Sequence, residues 1–556
     1  MLNMCYNIDT MHIDTSYSVQ NGKTYVRHLM RDSYRENGKV KHRTIANLSH
    51  CTDQEIEALK LALKYKGNLT AVGNIDEIEM KEGMRIGAAF TLKTIADRIG
   101  LSQVLGTTEA GHLALWQVMA TLIGQGSRLK SVRLAESHAA CDILGLAAFN
   151  EDSLYTNLAW LASQQENIEK RLFQQHYNSA PPQLFLYDVT SSYLEGVHNE
   201  LADFGYNRDK KKGKMQIVIG LLTGADGTPV AVRVFEGNTA DTDSVPEQIR
   251  LLVESFGVEE ITLVGDRGML KQPEIGMLNQ EHFHYITAIT KPQIRKLMRE
   301  GVFQIGLFEE KLCEVSCDKI RYILRRNPAR VKEIAANRED KLTKVKEFLE
   351  KQKHYLRQHP RAKIAVAARK VAEKVTRLEI EDWAQVTSQG DKLELVIDEA
   401  ALKEIMQLDG CYVIKTDVAV SVATTEMIHA RYKDLTQVEE AFRTIKHGHL
   451  KVQPTYVRTE ESTRGYVFVM MLAYLVEREL DKYWRSLEVT VAEGIDELGS
   501  LRGIEVGAGQ IAYQRVPEAT GLTRQLLTAA DIILPKVLPL RKVHVATRKT
   551  LLAERK

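Results

Sequence analysis

The sequence predicts a mixed α/β protein with a β-rich unit and a helical unit ahead of its core. Three observations predict it. Between residues 184 and 292, the short apolar runs LFLYDVTSSYL, MQIVIGLLTG, PVAVRVFEG, EITLVGDRG and HYITAIT alternate with turn signals and one helical stretch, SVPEQIRLLVESFG. Three strands, a helix and a further strand make a mixed α/β core. Residues 52–178 carry helical periodicity, and residues 1–50 carry Asn21-Gly22 and Asn37-Gly38, two pairs suited to hairpin turns.

In chain order, residues 1–50 form a β-rich unit whose cations Arg27, Arg31, Arg35, Lys39, Lys41 and Arg43 suit phosphate contact. A solvated edge ribbon protected by charge fits them equally well. Residues 51–180 form a helical domain, opened by DQEIEALKLALKY after the cap candidate Thr52. Short helices of this kind suit DNA-end binding or a generic helical cap. The texture changes at Pro181-Pro182, where the core begins (181–292). Residues 293–408 read as an inserted domain. Its helical segment, broken at Pro360, carries 15 Lys/Arg against 6 Asp/Glu between Arg330 and Arg377. That segment is either a solvated helical hairpin or an arm that tracks DNA. KLELVIDEA and DGCYVIKTDV return to strands. Residues 409–485 complete the core, and 486–556 form a C-terminal region available for oligomerisation, with a basic tail.

Composition narrows the class. The 556 residues leave room for about three to four domains. With 44% hydrophobic and 27% charged residues, the balance is that of an ordinary soluble protein. A net charge of +2 means that nucleic-acid binding must rest on local basic patches. Cys5, Cys51, Cys141, Cys313, Cys317 and Cys411 form no zinc knuckle and fit a reducing compartment. No apolar run is long enough to span a membrane, and there is no export signal. The absence of a G-x4-G-K-[ST] loop argues against a nucleotide-driven motor.

The stretch YKDLTQVEEAFRTIK, Tyr432 to Lys446, concentrates chemistry. Leu435, Val438, Phe442 and Ile445 recur at helical steps and fall on one buried arc. Tyr432, Glu439, Arg443 and Lys446 share the adjacent arc, within roughly 60° at about 100° per residue. One carboxylate beside a phenol and two cations suits a metal ion and a phosphate. The same pattern fits an amphipathic helix with solvated charge pairs. Glu440 points about 100° away from Glu439 and is not interchangeable with it.

Two aspartates, Asp188 and Asp266, close the apolar runs LFLYD and ITLVGD. Each has a local alternative: Asp188 as a cap for the Thr-Ser-Ser turn, Asp266 as a shaper of the Gly268 turn. Taken jointly, in the order strand-Asp, strand-Asp, helix-Glu, they predict a three-carboxylate cluster with Glu439. Such acids repel without a cation and suit hard divalent ions.

YDVTSSYLEG, GYNRDKKKGKMQIVIGLL, VFEGNTADTDSV, LVGDRGML and YKDLTQVEEAFRTIK, in one order, resemble bacterial insertion-sequence transposases of the Asp-Asp-Glu (DDE) class. The branch is the one with an insertion before the glutamate. The resemblance implies an RNase H-like catalytic core interrupted by an inserted domain, with Asp188 on its first strand, Asp266 ending its fourth, and Glu439 as third acid. The branch motif Tyr-x2-Arg-x3-Glu-x6-Lys maps onto Tyr432, Glu439 and Lys446. Leu435 stands where the arginine is expected, and Arg443 on the same strip is the substitute candidate. Asp188 and Asp266 are 78 positions apart, and Asp266 and Glu439 are 173 apart, which leaves space for the insertion. In the family that insertion is largely β and can stack an aromatic on a flipped base. Trp383, the insertion's only tryptophan, is the candidate.

The resemblance therefore implies a DNA transposase. Asp188, Asp266 and Glu439 would hold Mg²⁺ or Mn²⁺, two ions, for cleavage at the element's ends and strand transfer into target DNA. Tyr432, Arg443, Lys446 and Trp383 would contact DNA. Terminal inverted repeats and target DNA are the expected partners, a homodimer on DNA the expected assembly, and the bacterial cytoplasm, at the nucleoid, the expected location. The alternatives are an inactive transposase-derived DNA-binding protein and a metal-dependent nuclease without strand transfer.

Overall fold

The computed structural model describes residues 11–545 apart from 21–22, 37–38, 65–78, 178–181, 197, 210, 212, 310, 390–391, 509–510, 542 and 544. At the N-terminus, β1 (Met11–Gln20), β2 (Lys23–Glu36) and β3 (Lys39–Asn47) form an antiparallel sheet. The pairs Gln20↔Lys23 and Glu36↔Lys39 flank the two Asn-Gly sites. Those two sites lie outside the described residues, as do Cys5, Pro181 and the end of the basic tail. Among the ribbon's cations, Arg31 pairs with Asp14 at 2.8 Å and Arg43 with Asp32 at 3.5 Å.

Helix α1 (Asp53–Lys64) starts as expected: the Thr52 backbone N–H donates to Glu55 at 2.7 Å, and the Thr52 hydroxyl accepts from Glu55 N. After β4 (Glu79–Arg85) come α2 (Gly87–Arg98), α3 (Leu101–Leu105), α4 (Glu109–Ile123), α5 (Arg128–Ser137), α6 (Ala140–Leu144) and α7 (Glu151–Tyr177). Helix α4 is apolar on nearly every side and is almost wholly buried.

The core follows as β5 (Leu184–Tyr193), β6 (Gln216–Gly224), β7 (Pro229–Phe235), α8 (Val245–Arg250), β8 (Thr262–Gly265), α9 (Gln272–Gln280), β9 (His284–Ala288) and α10 (Lys291–Arg299). Next are β10 (Cys313–Cys317), β11 (Ile320–Arg326), α11 (Pro328–Gln358), α12 (Ile364–Arg377), β12 (Ala384–Gln389), β13 (Lys392–Ile397), α13 (Glu399–Gln407) and β14 (Cys411–Thr416). One sheet of eight strands runs β10-β11-β14-β9-β8-β5-β6-β7. Strands β5, β6 and β7 form an antiparallel meander, while β8 lies parallel to β5 and β9 parallel to β8. Alternation sorts the β5 side chains. Phe185 and Tyr187 face the cluster under α8 and α9, and Leu184 and Leu186 face the larger core.

One boundary moves, the start of the insertion, from 293 to α11 at Pro328. The expected insertion, 293–408, is not one separate unit, because β10 and β11 pair onto β14 and extend the main sheet. The body with its own core runs from α11 to α13, where Val345, Leu349, Val371, Val375 and Trp383 pack together. It is mostly helical, with only the β12-β13 ribbon, unlike the largely β insertion the resemblance implied. Its two long helices break around Pro360, as expected.

The remaining elements are α14 (Thr425–Lys433), α15 (Leu435–Lys446), α16 (Glu460–Trp484), α17 (Val491–Leu498), β15 (Arg502–Ala508), β16 (Ile511–Arg515), α18 (Gly521–Ala529) and β17 (Val537–Pro539). The C-terminal region packs on the chain's own N-terminal half: β15, β16 and β17 join β4 in one sheet, and Leu526 and Leu527 enter the main core. Helix α16 packs between the bundle and the sheet. A Cβ on Gly465 would meet the Leu158 carbonyl at 2.0 Å, so only glycine permits this approach to α7. The Arg233 guanidinium on β7 donates to Glu169 on α7 at 2.7 Å, both side chains almost fully buried, which fixes the bundle against the sheet.

Candidate active site

Register brings the first two acids together. Strand β5 pairs in parallel with β8 up to Tyr187↔Gly265. The next residues are Asp188, still within β5, and Asp266, the first residue after β8. Asp188 does not close its strand: it is the fifth of ten residues in β5, which continues to Tyr193 paired with β6 alone. What ends at Asp188 is the pairing with β8. Asp188 shares the parity of Leu186 and faces the side covered by α15.

The stretch Tyr432 to Lys446 is two helices, not one. The chain turns at Asp434, whose N–H donates to Ala430 and Arg431 carbonyls, and α15 starts at Leu435. The apolar arc is as expected, with Leu435, Val438, Phe442 and Ile445 all buried. Leu435 is core, which explains an apolar residue at that position. Tyr432, on α14, reaches the site from another direction: its hydroxyl donates to Asp266 Oδ1 at 3.1 Å. Burial, reinforced by Asp266, raises its pKa, so it stays a phenol and a donor.

Asp188, Asp266 and Glu439 line one cavity of about 490 Å³ with Thr190, Arg208, Asp241, Arg267 and Phe442. Asp188 Oδ1 accepts from Val189 N at 2.8 Å, and Asp266 Oδ1 accepts from Arg267 N at 2.7 Å. Burial, with the charges of Asp266 and Glu439, pushes the Asp188 carboxyl up to about 7, against the pull of the Val189 N–H and Arg208. Among the described residues, no three His, Cys, Asp or Glu side chains are gathered closely enough to hold one ion. The acids border the cavity without closing on a common point. A carboxyl driven toward neutrality beside two further acids is nevertheless the electrostatic setting that a divalent cation would relieve. Glu440 lies among the charges around Tyr474 and Arg485 and is not part of this cavity.

The other expected contacts divide. Arg443 is exposed and has no ion-pair partner among the described residues. Lys446 is buried at 6% exposure, donating to Asp209 Oδ1 at 2.6 Å and Thr190 Oγ1 at 3.0 Å. It is committed to the protein's interior, not free for a phosphate. Trp383, expected to stack on a base, is only 4% exposed and packs in the core of the α11–α13 body. Its indole is used for burial, the ordinary fate of a lone tryptophan.

Sequence reasoning passed over Arg208, Asp209 and Asp241. Arg208 ion-pairs with Asp241 and borders the cavity. Asp209 ties the same loop to Lys446, and its Oδ2 is buried without a partner. The stretch GYNRDKKKGK carried the first two, but nothing local tells which of its charges turn inward.

Comparison with known proteins decides the family. A family model described as "IS1634 family transposase, N-terminal domain" matches residues 13–79. A second, "Transposase DDE domain", matches residues 179–476, more than half of the chain. The chain belongs to the DDE transposase family. It is a DNA transposase, an enzyme, and its family's chemistry depends on a divalent metal ion. No curated protein matches the transposase. Among solved structures it is similar to one titled "Cryo-EM structure of piggyBac transposase synaptic complex with hairpin DNA (SNHP)". That match has 8% identity and a TM-score of 0.35, covering 70% of this chain and 69% of the other, too slight to transfer residue roles. No helix among the described residues is long and apolar enough to cross a membrane.

Proposed function

We propose that Asp188, Asp266 and Glu439 are the catalytic acids of this transposase and together hold its divalent ions, two Mg²⁺ or Mn²⁺. The observation that carries this is the register adjacency of Asp188 and Asp266, with Glu439 bordering the same cavity. The spatial order β7-β6-β5-β8-β9 supports an RNase H-like core, with the acids on the first strand and at the end of the fourth. The insertion in that core is the body from α11 to α13.

When bound, the ions would activate water or a 3′-hydroxyl and neutralise charge on the reacting phosphate. The chain's own groups do the positioning. The Tyr432 hydroxyl fixes the Asp266 carboxylate. Arg208, Arg267 and exposed Arg443 supply positive charge where a DNA phosphate would sit. Lys446 anchors Thr190 and the Asp209 loop from beneath. The reaction is two phosphoryl transfers: water cleaves a strand at the element's end, then the freed 3′-hydroxyl attacks target DNA. The N-terminal sheet and helices would bind the terminal inverted repeats, the α11–α12 hairpin would track DNA, and two copies would pair two ends at the nucleoid.

The test is incubation of the purified transposase with DNA carrying its element's ends, with Mg²⁺ or Mn²⁺ against EDTA. Metal-dependent cutting with joined products is expected. Asp188→Ala, Asp266→Ala and Glu439→Gln should each abolish cutting while keeping end binding. Full cutting by any of them removes that residue from the assignment.

A further inference from the structure

A second cavity, of about 480 Å³, lies between the α4–α5 turn and the loop that follows α15. Three tyrosines border it, Tyr155, Tyr456 and Tyr466, together with the cations Arg128 and Lys451; no carboxylate is among its lining residues. Arg128 is only 4% exposed. Its guanidinium donates to Gln117 Oε1 at 2.5 Å and lies 5.5 Å from the Tyr466 ring centre. It has no ion-pair partner among the described residues, although a buried cation normally requires an anion. Arg128 also opens helix α5, whose first N–H groups favour negative charge. The volume suits a small ligand, and the lining is that of a site for an aromatic anion.

We propose that this cavity receives one nucleotide of a DNA strand outside the double helix. The phosphate lies against Arg128, Lys451 and the start of α5, and the base lies against Tyr155 and Tyr456. Tyr456 is 73% exposed, so the strand can enter and leave at the cavity's mouth. The loop carrying Tyr456 is tied to the core, because Thr455 N donates to the Tyr193 carbonyl at the end of β5. A nucleotide held here would therefore be registered against the sheet that carries Asp188. The proposal does not depend on the assignment of the catalytic acids.

The test is photo-cross-linking of the full-length chain to a short single-stranded oligonucleotide containing iododeoxyuridine, with peptide mapping. Cross-links are expected at Tyr155 or Tyr456, and equally in Asp188→Ala. Tyr456→Ala, at an exposed position that folding tolerates, should lower the yield about tenfold. Excess dAMP should compete, and deoxyadenosine, which lacks the phosphate, should not. Cross-links confined to other regions, or an unchanged yield in Tyr456→Ala, would overturn the proposal. Binding of dAMP that the oligonucleotide fails to displace would overturn the DNA strand as its source.

Discussion

Replacing Asp188 by Asn should abolish catalysis and stabilise the metal-free protein. Burial and two neighbouring acids lift the Asp188 carboxyl from 3.8 to about 7. Between those values, the folded state keeps a proton that the unfolded state has released. Raising the pH across this window therefore favours unfolding. The contribution is fully present below 3.8 and is lost as pH rises through about 7. Three pKa units correspond to about 4 kcal/mol, an upper value for one carboxyl. Asn carries no charge, and its carbonyl can still accept from Val189 N, as Asp188 Oδ1 does at 2.8 Å. The variant should thus lack this component of the decline in stability with pH. The assay is thermal unfolding of both proteins in EDTA, at about pH 5 and about pH 8. The variant should gain on the wild type by several degrees at the higher pH. Mg²⁺ should then stabilise the wild type and leave the variant unmoved, because only the wild type offers the full set of acids. Parallel pH profiles for the two proteins would refute the electrostatic reasoning. Cutting by Asp188→Asn would refute the catalytic role.

Lys446→Ala should destabilise by about 3–5 kcal/mol, because it strands buried Asp209 without its cation. Arg443→Ala should leave the melting temperature unchanged and flatten the salt dependence of DNA binding by about one unit of slope. Trp383→Ala should cost about 3–5 kcal/mol in the α11–α13 body, seen as faster proteolysis there, without a base-specific defect. The Glu477 carboxyl is pushed up to about 8 by burial and Asp481. Stability from this group is lost as pH rises from 4.5 toward about 8. Glu477→Gln should flatten that decline, and metal should not reverse it, as melting curves across the window will show.

The residues that sequence reasoning singled out best were those whose local pattern and chemistry agree. The β5 and β8 runs are apolar with an acid at a fixed place, and the α15 arc repeats at helical steps, so strand, helix and buried face were all legible. Lys446 and Trp383, both expected to contact DNA, are both buried; helical phase placed the first, and the resemblance alone placed the second. Periodicity assigns a residue to a face but does not reveal what packs over the edge of that face. Lys446 lies at the boundary of the buried arc and finds Asp209 from a loop 237 positions away. Trp383 finds its burial against α11 and α12, which begin at Pro328 and Ile364. The break at Asp434 escaped because the apolar arc begins only after it, at Leu435, and Asp434 itself keeps near-helical backbone angles, φ −62° and ψ −14°.

By itself, the sequence determined the apolar faces and the kind of chemistry, and it pointed to three acids that border one cavity. These depend on residue type and short-range spacing, which the backbone geometry of strands and helices reads directly. Only the tertiary structure decided that β5 and β8 are neighbours in register, that β10 and β11 belong to the main sheet, and that β15–β17 close on β4. It also decided that Tyr432 reaches Asp266 from a separate helix and that Arg128 is buried without a carboxylate. Each of these depends on contacts between distant segments, selected by the burial of whole faces against one another, and no local pattern encodes that choice.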